Sequence, residues 1–388
     1  LAENPADPEF WYTLSVAQSY LNNVQEAVQS MEKALVHGLP FERYLAGPRD
    51  LLGPLTSSDT FKKTAARYSS NLIHGPLLGC VSGSSASFWV RTADTSRVQV
   101  KVSRFDNLAD PILSDVKVSN AAEDYTAIVT VSDLSPSENY YYDVFINGKS
   151  ALGPAYPSFR TYPSKGEKAR FQIGFGGGAG YVPAHERIWD VITGHNPIAF
   201  LFMGDNVYHD MPEKVHAVHY YTYYRRQSRP EFRKLTSGTS IYAIWDDHDC
   251  ATNDVFMGPY KEKPGWKMDL FHLFRQNWNN PSYGDPEWPG VWFKFPIGDV
   301  DFFMLDGRFY RTNPHTENPT MLGPVQKAWL LKQLKASKAT FKVIASPVPW
   351  SYASKGESLD TWNGFREERK EIFDFLSEHR IDGVILIS

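Results

Sequence analysis

The sequence predicts a multidomain protein: an α/β domain in its C-terminal part, preceded by a β-sandwich and, before that, a short helical hairpin. Three observations predict it. Apolar residues recur at helical spacing near the start, polar–apolar alternation takes over from about residue 70, and continuous apolar runs alternate with helical stretches from about residue 167. At 388 residues the chain has length enough for two or three domains with cores of their own.

Over residues 1–65, Ala27, Met31, Ala34 and Leu35 share one helix face, which predicts a helical hairpin. With Trp11 and Tyr20 on the first helix, the spacing resembles one tetratricopeptide unit. No second copy follows and a lone repeat builds no solenoid, so a cap packed on the next domain is the favoured reading over a partner-binding module. Over residues 70–164, SFWVRTA from Ser87, VQVKVS from Val98, YTAIVTVS from Tyr125 and YYYDVFING from Tyr140 read as half-buried strands. Leu134, Pro136, Tyr140 and Tyr142 have the spacing of the tyrosine corner of immunoglobulin and fibronectin-like sandwiches. A rigid spacer or lid is preferred here over a carbohydrate-binding module.

From residue 167 to residue 388 the chain reads strand (ARFQIGF), glycine loop (GGGAG), helix (HERIWDVITGH), strand (IAFLFMGD), the rhythm of a βαβ unit. Further buried strands are SIYAIWDD from Ser240, DVDFFMLD from Asp299, FKVIAS from Phe341 and DGVILIS from Asp382. Helical spacing joins Val325, Ala328 and Trp329, and again Phe365, Ile372, Phe375 and Leu376. In such a sheet, ligands are expected at the carboxyl ends of the strands.

Composition narrows the partners. The net charge is −4 with acids and bases mixed along the chain, so no dedicated nucleic-acid or anionic-membrane surface is expected. No apolar run reaches the length of a membrane span. The opening LAENPADPEF shows no signal peptide, and Cys80 and Cys250 suggest neither a zinc ribbon nor a disulfide framework.

Two strands end in chemistry. Asp205 closes IAFLFMG, and Asp246, Asp247, His248 and Asp249 close SIYAIW. Asp205 and Tyr208 offer a carboxylate and a phenol, both hard oxygen donors, around one turn. Three carboxylates in four residues repel one another unless a cation neutralises them, and Asn253 adds a neutral oxygen nearby. His209, His216 and His219 have no matching partners and are read as surface or supporting residues.

The same residues carry a resemblance. GDNVY (Gly204 to Tyr208) matches a metallophosphoesterase motif, and WDDHD with Asn253 resembles a block of the alkaline phosphatase D family. LDGRFYRTNP from Leu305, Gln326 with Trp329 and Leu330, SPVPW from Ser346 and WNGFREER from Trp362 resemble later blocks in the same order. The resemblance implies an α/β metallophosphoesterase sheet sandwich that hydrolyses phosphate esters at a cluster of divalent and trivalent metal, iron with calcium, with zinc or manganese as alternatives. It implies that Asp205 bridges the metals, Tyr208 binds iron, and Asn253 binds with one of Asp246 and Asp247, of which Asp247 is the better choice. His248 would then meet the leaving-group oxygen, Asp249 would orient its imidazole, and Arg308, with Arg311 second, would grip phosphate oxygens. The reaction implied is in-line attack on phosphorus by metal-activated hydroxide, in an extracytoplasmic enzyme.

Two departures qualify this. Gly178 stands where many relatives carry a cysteine ligand, and the G-D-x-H block that would supply a further histidine is missing after GVILIS, so the domain is expected to be incomplete at its C-terminus. Two other readings compete. One is a non-catalytic secreted scaffold with a degenerate phosphatase domain. The other, weaker, is a dinucleotide fold built on Gly174, Gly176 and Ala179.

Overall fold

The computed structural model describes residues 5–67, 71–352 and 354–388. Helices α1 (Pro8–Tyr20) and α2 (Val24–Val36) pack against each other, joined by a short turn. Asp7 starts α1 by accepting the amide of Glu9 at 2.9 Å, with Pro8 in the first turn where its missing N–H costs nothing. Three shorter helices follow, α3 (Glu42–Ala46), α4 (Arg49–Thr56) and α5 (Asp59–Ala65). Together they close a small core around Tyr12, Met31, Tyr44 and Leu55, against which Tyr221 of the α/β domain packs.

The sandwich faces one antiparallel sheet, β1 (Leu72–Gly79), β2 (Ala86–Thr92) and β6 (Thr126–Val131), with a second. That second sheet holds β3 (Arg97–Ser103), β4 (Ile112–Leu113), β5 (Lys117–Val118), β7 (Asn139–Ile146), β8 (Lys149–Ser150) and β9 (Ser158–Arg160). The Tyr140 hydroxyl accepts the Ser135 amide at 2.9 Å, the tie that a tyrosine corner makes. Tyr142 instead reaches out of the sandwich and donates to the Ser237 carbonyl at 2.7 Å.

The α/β domain is built on two sheets. In the first, β10 (Ile173–Gly176), β11 (Ala199–Met203) and β12 (Ser240–Ile244) run parallel. β11 and β12 are buried along their whole length, which is why they read as unbroken apolar runs. In the second, β13 (Phe293–Ile297) pairs antiparallel with β14 (Val300–Met304), and β15 (Phe341–Ala345) and β16 (Val384–Ile387) continue in parallel. The rings of Tyr242 and Phe295 stack 3.6 Å apart, joining β12 to β13 across the two sheets.

Among the described residues, seven α-helices complete the domain: α6 (Ile188–Gly194), α7 (Ala217–Gln227), α8 (Pro230–Gly238), α9 (Asp247–Cys250), α10 (Lys267–Asn277), α11 (Gly323–Ala336) and α12 (Arg366–Glu378). The stretch YYTYYRRQSRPEF from Tyr220 is helical, split into α7 and α8 at Ser228-Arg229 with Pro230 opening the second helix. Near β10 and α6 a groove of about 1370 Å³ opens, and Phe175, Ile188 and Val191 stand exposed beside it, while on β16 Ile385 and Leu386 are likewise exposed. Among the described residues no helix is long and apolar enough to cross a membrane.

Candidate metal centre

Adjacent parallel strands β11 and β12 deliver the site at their carboxyl ends. Gly204, at φ 105°, sits hard against the end of β12: a Cβ there would lie 2.6 Å from the Asp246 Cβ. Only glycine combines that backbone with that contact. Asp205 follows in a left-handed turn at φ 52°, a conformation aspartate tolerates better than most residues.

This turn sets three groups against one another. Ligand-type atoms of Asp205, Asp247 and His248 all lie within 4.8 Å of each other. The Tyr208 phenol donates to Asp205 Oδ2 at 3.1 Å, while the His248 amide lies 3.4 Å from Asp205 Oδ1 and 3.2 Å from Asp247 Oδ1. Asp247 Oδ2 accepts the Asp254 amide at 2.6 Å. Burial, then the facing carboxylate of Asp247, pushes the Asp205 carboxyl above its usual range, with His248 pulling the other way. Burial and Asp205 likewise raise the Tyr208 phenol. Two facing carboxylates, with a phenol and an imidazole beside them, form a donor set that a hard or borderline cation would relieve, and the residues present fit such an ion.

Asp246 points elsewhere. Its carboxylate accepts from Arg308 Nε, and burial pushes its carboxyl up to about 7 against the pull of that guanidinium. Of the Asp246–Asp247 pair, then, Asp247 faces Asp205. Asn253 is exposed one residue before Asp254 and, among the described residues, makes no hydrogen bond to Asp205 or Asp247.

Three expected roles are not what the structure shows. Asp249 does not orient the imidazole: Oδ1 accepts the amides of Asn206 at 3.0 Å and Val207 at 3.2 Å, and Oδ2 accepts that of Asp246 at 3.0 Å, so it stitches the two strand-end turns together. The partner of His248 Nδ1 is Asp210 Oδ1. Burial pulls the imidazole pKa down, but Asp210, Asp247 and Asp205 together leave it above the ordinary value.

Arg308 and Arg311 do not present themselves to a substrate, being 0% and 1% exposed. Arg308 forks onto Asp360 at 2.7 and 3.1 Å, and Arg311 Nη1 lies 2.9 Å from the same carboxylate. Burial alone would raise Asp360, but Arg308, then Arg311 and Lys355, hold it well below the usual carboxylate range. Asp306, two residues before Arg308, is spent on other donors. It accepts the Trp245 indole N–H at 2.7 Å and the backbone amides of Val291, Arg308 and Phe309.

Sequence reasoning missed Asp210, Asp254, Asp360 and Lys355. Asp210 stands five residues beyond Asp205 with no motif to mark it, and Asp360 lies two residues before the WNGFREER block. The glycine loop does not support a dinucleotide site. The amides of Gly178 and Ala179 are spent on the carbonyls of Gly204 at 3.2 Å and Asp205 at 3.0 Å, and α6 begins only at Ile188. A Cβ on Gly178 would lie 3.8 Å from the Tyr208 hydroxyl oxygen, so the position borders the centre.

The two-sheet α/β domain with its strand-end cluster has a phosphatase fold. The solved structure of PhoD aligns over 82% of this chain and 72% of that one, with a TM-score of 0.69 and 17% identity. A purple acid phosphatase from yellow lupin (Lupinus luteus) seeds aligns over 70% of this chain and 51% of its own, with a TM-score of 0.51 and 12% identity. The chain belongs to the PhoD-like phosphatase family, whose model matches residues 173–388, more than half of its length. Residues 69–164 match a domain of unknown function, DUF7800. Alkaline phosphatase D of Bacillus subtilis (strain 168) is 25% identical over 37% of this chain, and the match spans 29% of that protein's length.

Proposed function

We propose that the chain is a metal-dependent phosphoester hydrolase, extracytoplasmic like the exported phosphatases it resembles. The observation that carries this is the convergence of Asp205, Asp247 and His248 from two strand ends, with the Tyr208 phenol on Asp205. Asp205, Tyr208 and Asp247, with Asn253, would hold the cations. When bound, such a cluster supplies Lewis-acid charge neutralisation and a hydroxide nucleophile at ordinary pH. With no side chain at Gly178 the donors are oxygen and nitrogen only, which suits iron with calcium, or manganese or zinc.

The chain's own residues do the rest. Asp249 fixes the two turns so that the Asp205 and Asp247 carboxylates face each other. Arg308 takes up Asp246 and Asp360 and, at 3.6 Å, makes a longer ion pair with Asp247, the carboxylate that would meet the cation. His248, held at Nδ1 by Asp210, keeps Nε2 free to deliver a proton to the departing alkoxide. The substrate is a phosphate ester.

Gly178 favours a second reading, a scaffold that has lost its metal. Metal analysis with hydrolysis of p-nitrophenyl phosphate and bis-p-nitrophenyl phosphate separates the two. The enzyme is expected to hold stoichiometric metal, and Asp205→Asn to lose it together with activity, by about 100-fold or more. Full activity in Asp205→Asn, or a wild-type chain with neither metal nor activity, rejects the proposal.

A further inference from the structure

With Arg308 and Arg311 buried, substrate recognition needs another cation. Among the described residues, the lysine and arginine side chains paired with Asp246, Asp247, Asp254 or Asp360 are Arg308, Arg311 and Lys355. Lys355 differs from the other two. Its side chain is 53% exposed, and its Nζ lies 3.5 Å from Asp360 Oδ2 and 3.7 Å from Asp254 Oδ1. Both distances are at the loose end of ion pairing: Asp254 is itself half exposed, which makes that pair weak, and the buried Asp360 is already held by Arg308 and Arg311. Ligand-type oxygens of Asp247, Asp254 and Asp360 lie within 4.8 Å of one another, so the ammonium rests at the rim of the centre that contains Asp247.

The chemistry suits a phosphoryl group better than a permanent carboxylate partner. A lysine is a point charge on a flexible four-carbon stem, able to turn at little cost from a weak partner to a stronger one. A phosphate monoester carries up to two negative charges and several strong acceptor oxygens, against one charge on a diester, and charge-assisted hydrogen bonds to phosphate are among the stronger ones.

We propose that Lys355 is the substrate-facing cation of this centre, swinging from Asp254 and Asp360 onto a non-bridging phosphoryl oxygen and favouring dianionic monoesters over diesters. This rests on the phosphoesterase reading above.

The test uses the full chain with its metal, comparing wild type, Lys355→Met and Lys355→Arg. Orthophosphate binding is read by calorimetry, metal content by elemental analysis, and kinetics on p-nitrophenyl phosphate and bis-p-nitrophenyl phosphate. In Lys355→Met, metal content and the unfolding midpoint stay at wild-type values, while the orthophosphate Kd and the monoester KM each rise about tenfold, the worth of one hydrogen bond to a charged group. The diester KM moves less, so the monoester-to-diester ratio of kcat/KM falls, and Lys355→Arg restores most of it. An active wild type with unchanged orthophosphate affinity in Lys355→Met makes Lys355 a mere counter-ion of Asp254 and Asp360 and overturns this proposal alone. Loss of metal in that variant does the same. A wild type without metal and without activity overturns the phosphoesterase reading beneath it.

Discussion

Asp210 accepts a hydrogen bond from His248 Nδ1, so on the proposed phosphoesterase reading the other ring nitrogen, Nε2, would be the one to serve the reaction. Neighbours in sequence could not have made that bond. Residues one apart on a helix do not face each other, so Asp249 beside His248 on α9 turns to backbone amides, just as Asp246 turns to Arg308 while Asp247 turns to Asp205. The strand-end cluster was therefore legible as a set, because motif and burial place it, whereas the division of labour within it depends on which way each side chain points. Asp210 acts across 38 residues of chain, and no local pattern reports that. If it positions a proton donor, Asp210→Asn should slow hydrolysis of an alkyl phosphate, whose leaving group needs the proton, by about 10²-fold. A p-nitrophenyl ester, whose leaving group does not, should be little affected. An equal loss on both esters would make Asp210 a prop for the loop and nothing more.

At the scale of elements, strands declared themselves and several connections did not. β11 and β12 are buried from end to end and, Ser240 apart, built of apolar and aromatic residues, as short runs between two covered faces must be. β13 was hidden by Pro296, which weakens a strand signal, and α7 and α8 by a run of aromatics and arginines that resembles a binding loop. The segment after α9 owes its shape to a residue that composition would place on the surface. Lys267, in the first turn of α10, is fully buried, and its ammonium donates to the carbonyls of Tyr260 at 2.7 Å and Gly258 at 3.2 Å, with those of Met257 and Lys263 at 3.5 Å. The rings of Phe309 and Tyr310 lie 4.3 and 5.1 Å from it. It holds residues 257–263 in place, and they continue the turn that bears Asp254. Lys267→Met keeps the stem but strands those carbonyls, so the urea midpoint should fall by the equivalent of about 2–3 kcal/mol, with weaker metal binding alongside. A midpoint at the wild-type value would show that water replaces the ammonium at no cost.

Across the whole molecule, the sandwich is docked and does not stand off as a spacer. Arg91 of β2 is fully buried and donates to Asn277 of α10 at 2.9 Å and to Gln227 of α7, and Trp89 donates to the Gln276 carbonyl at 2.8 Å. Such a joint cannot be read from alternation along a strand, which reports that a face is buried and not against what. His74 sits in the joint with its tautomer fixed: Nδ1 accepts from Arg91 at 2.7 Å, so the proton is on Nε2 and goes to the Ser228 hydroxyl at 2.8 Å, which donates onward to the Tyr224 carbonyl. Burial, and then the positive charge of Arg91, holds its pKa well below the ordinary histidine value. The unfolded chain takes a proton there as pH falls through about 6.5, and the folded one does not. Protons bound preferentially by the unfolded state destabilise the fold, so stability is lost on acidification, at no more than about 1.4 kcal/mol per pH unit for this one site. Replacing His74 with Asn, which keeps an acceptor for Arg91 and cannot titrate, should lower stability near neutrality yet flatten the pH dependence between about 6.5 and 5. Denaturant midpoints of the two proteins measured across that interval decide it: parallel curves would mean that His74 is protonated in the fold, and that the joint tolerates a second positive charge beside Arg91.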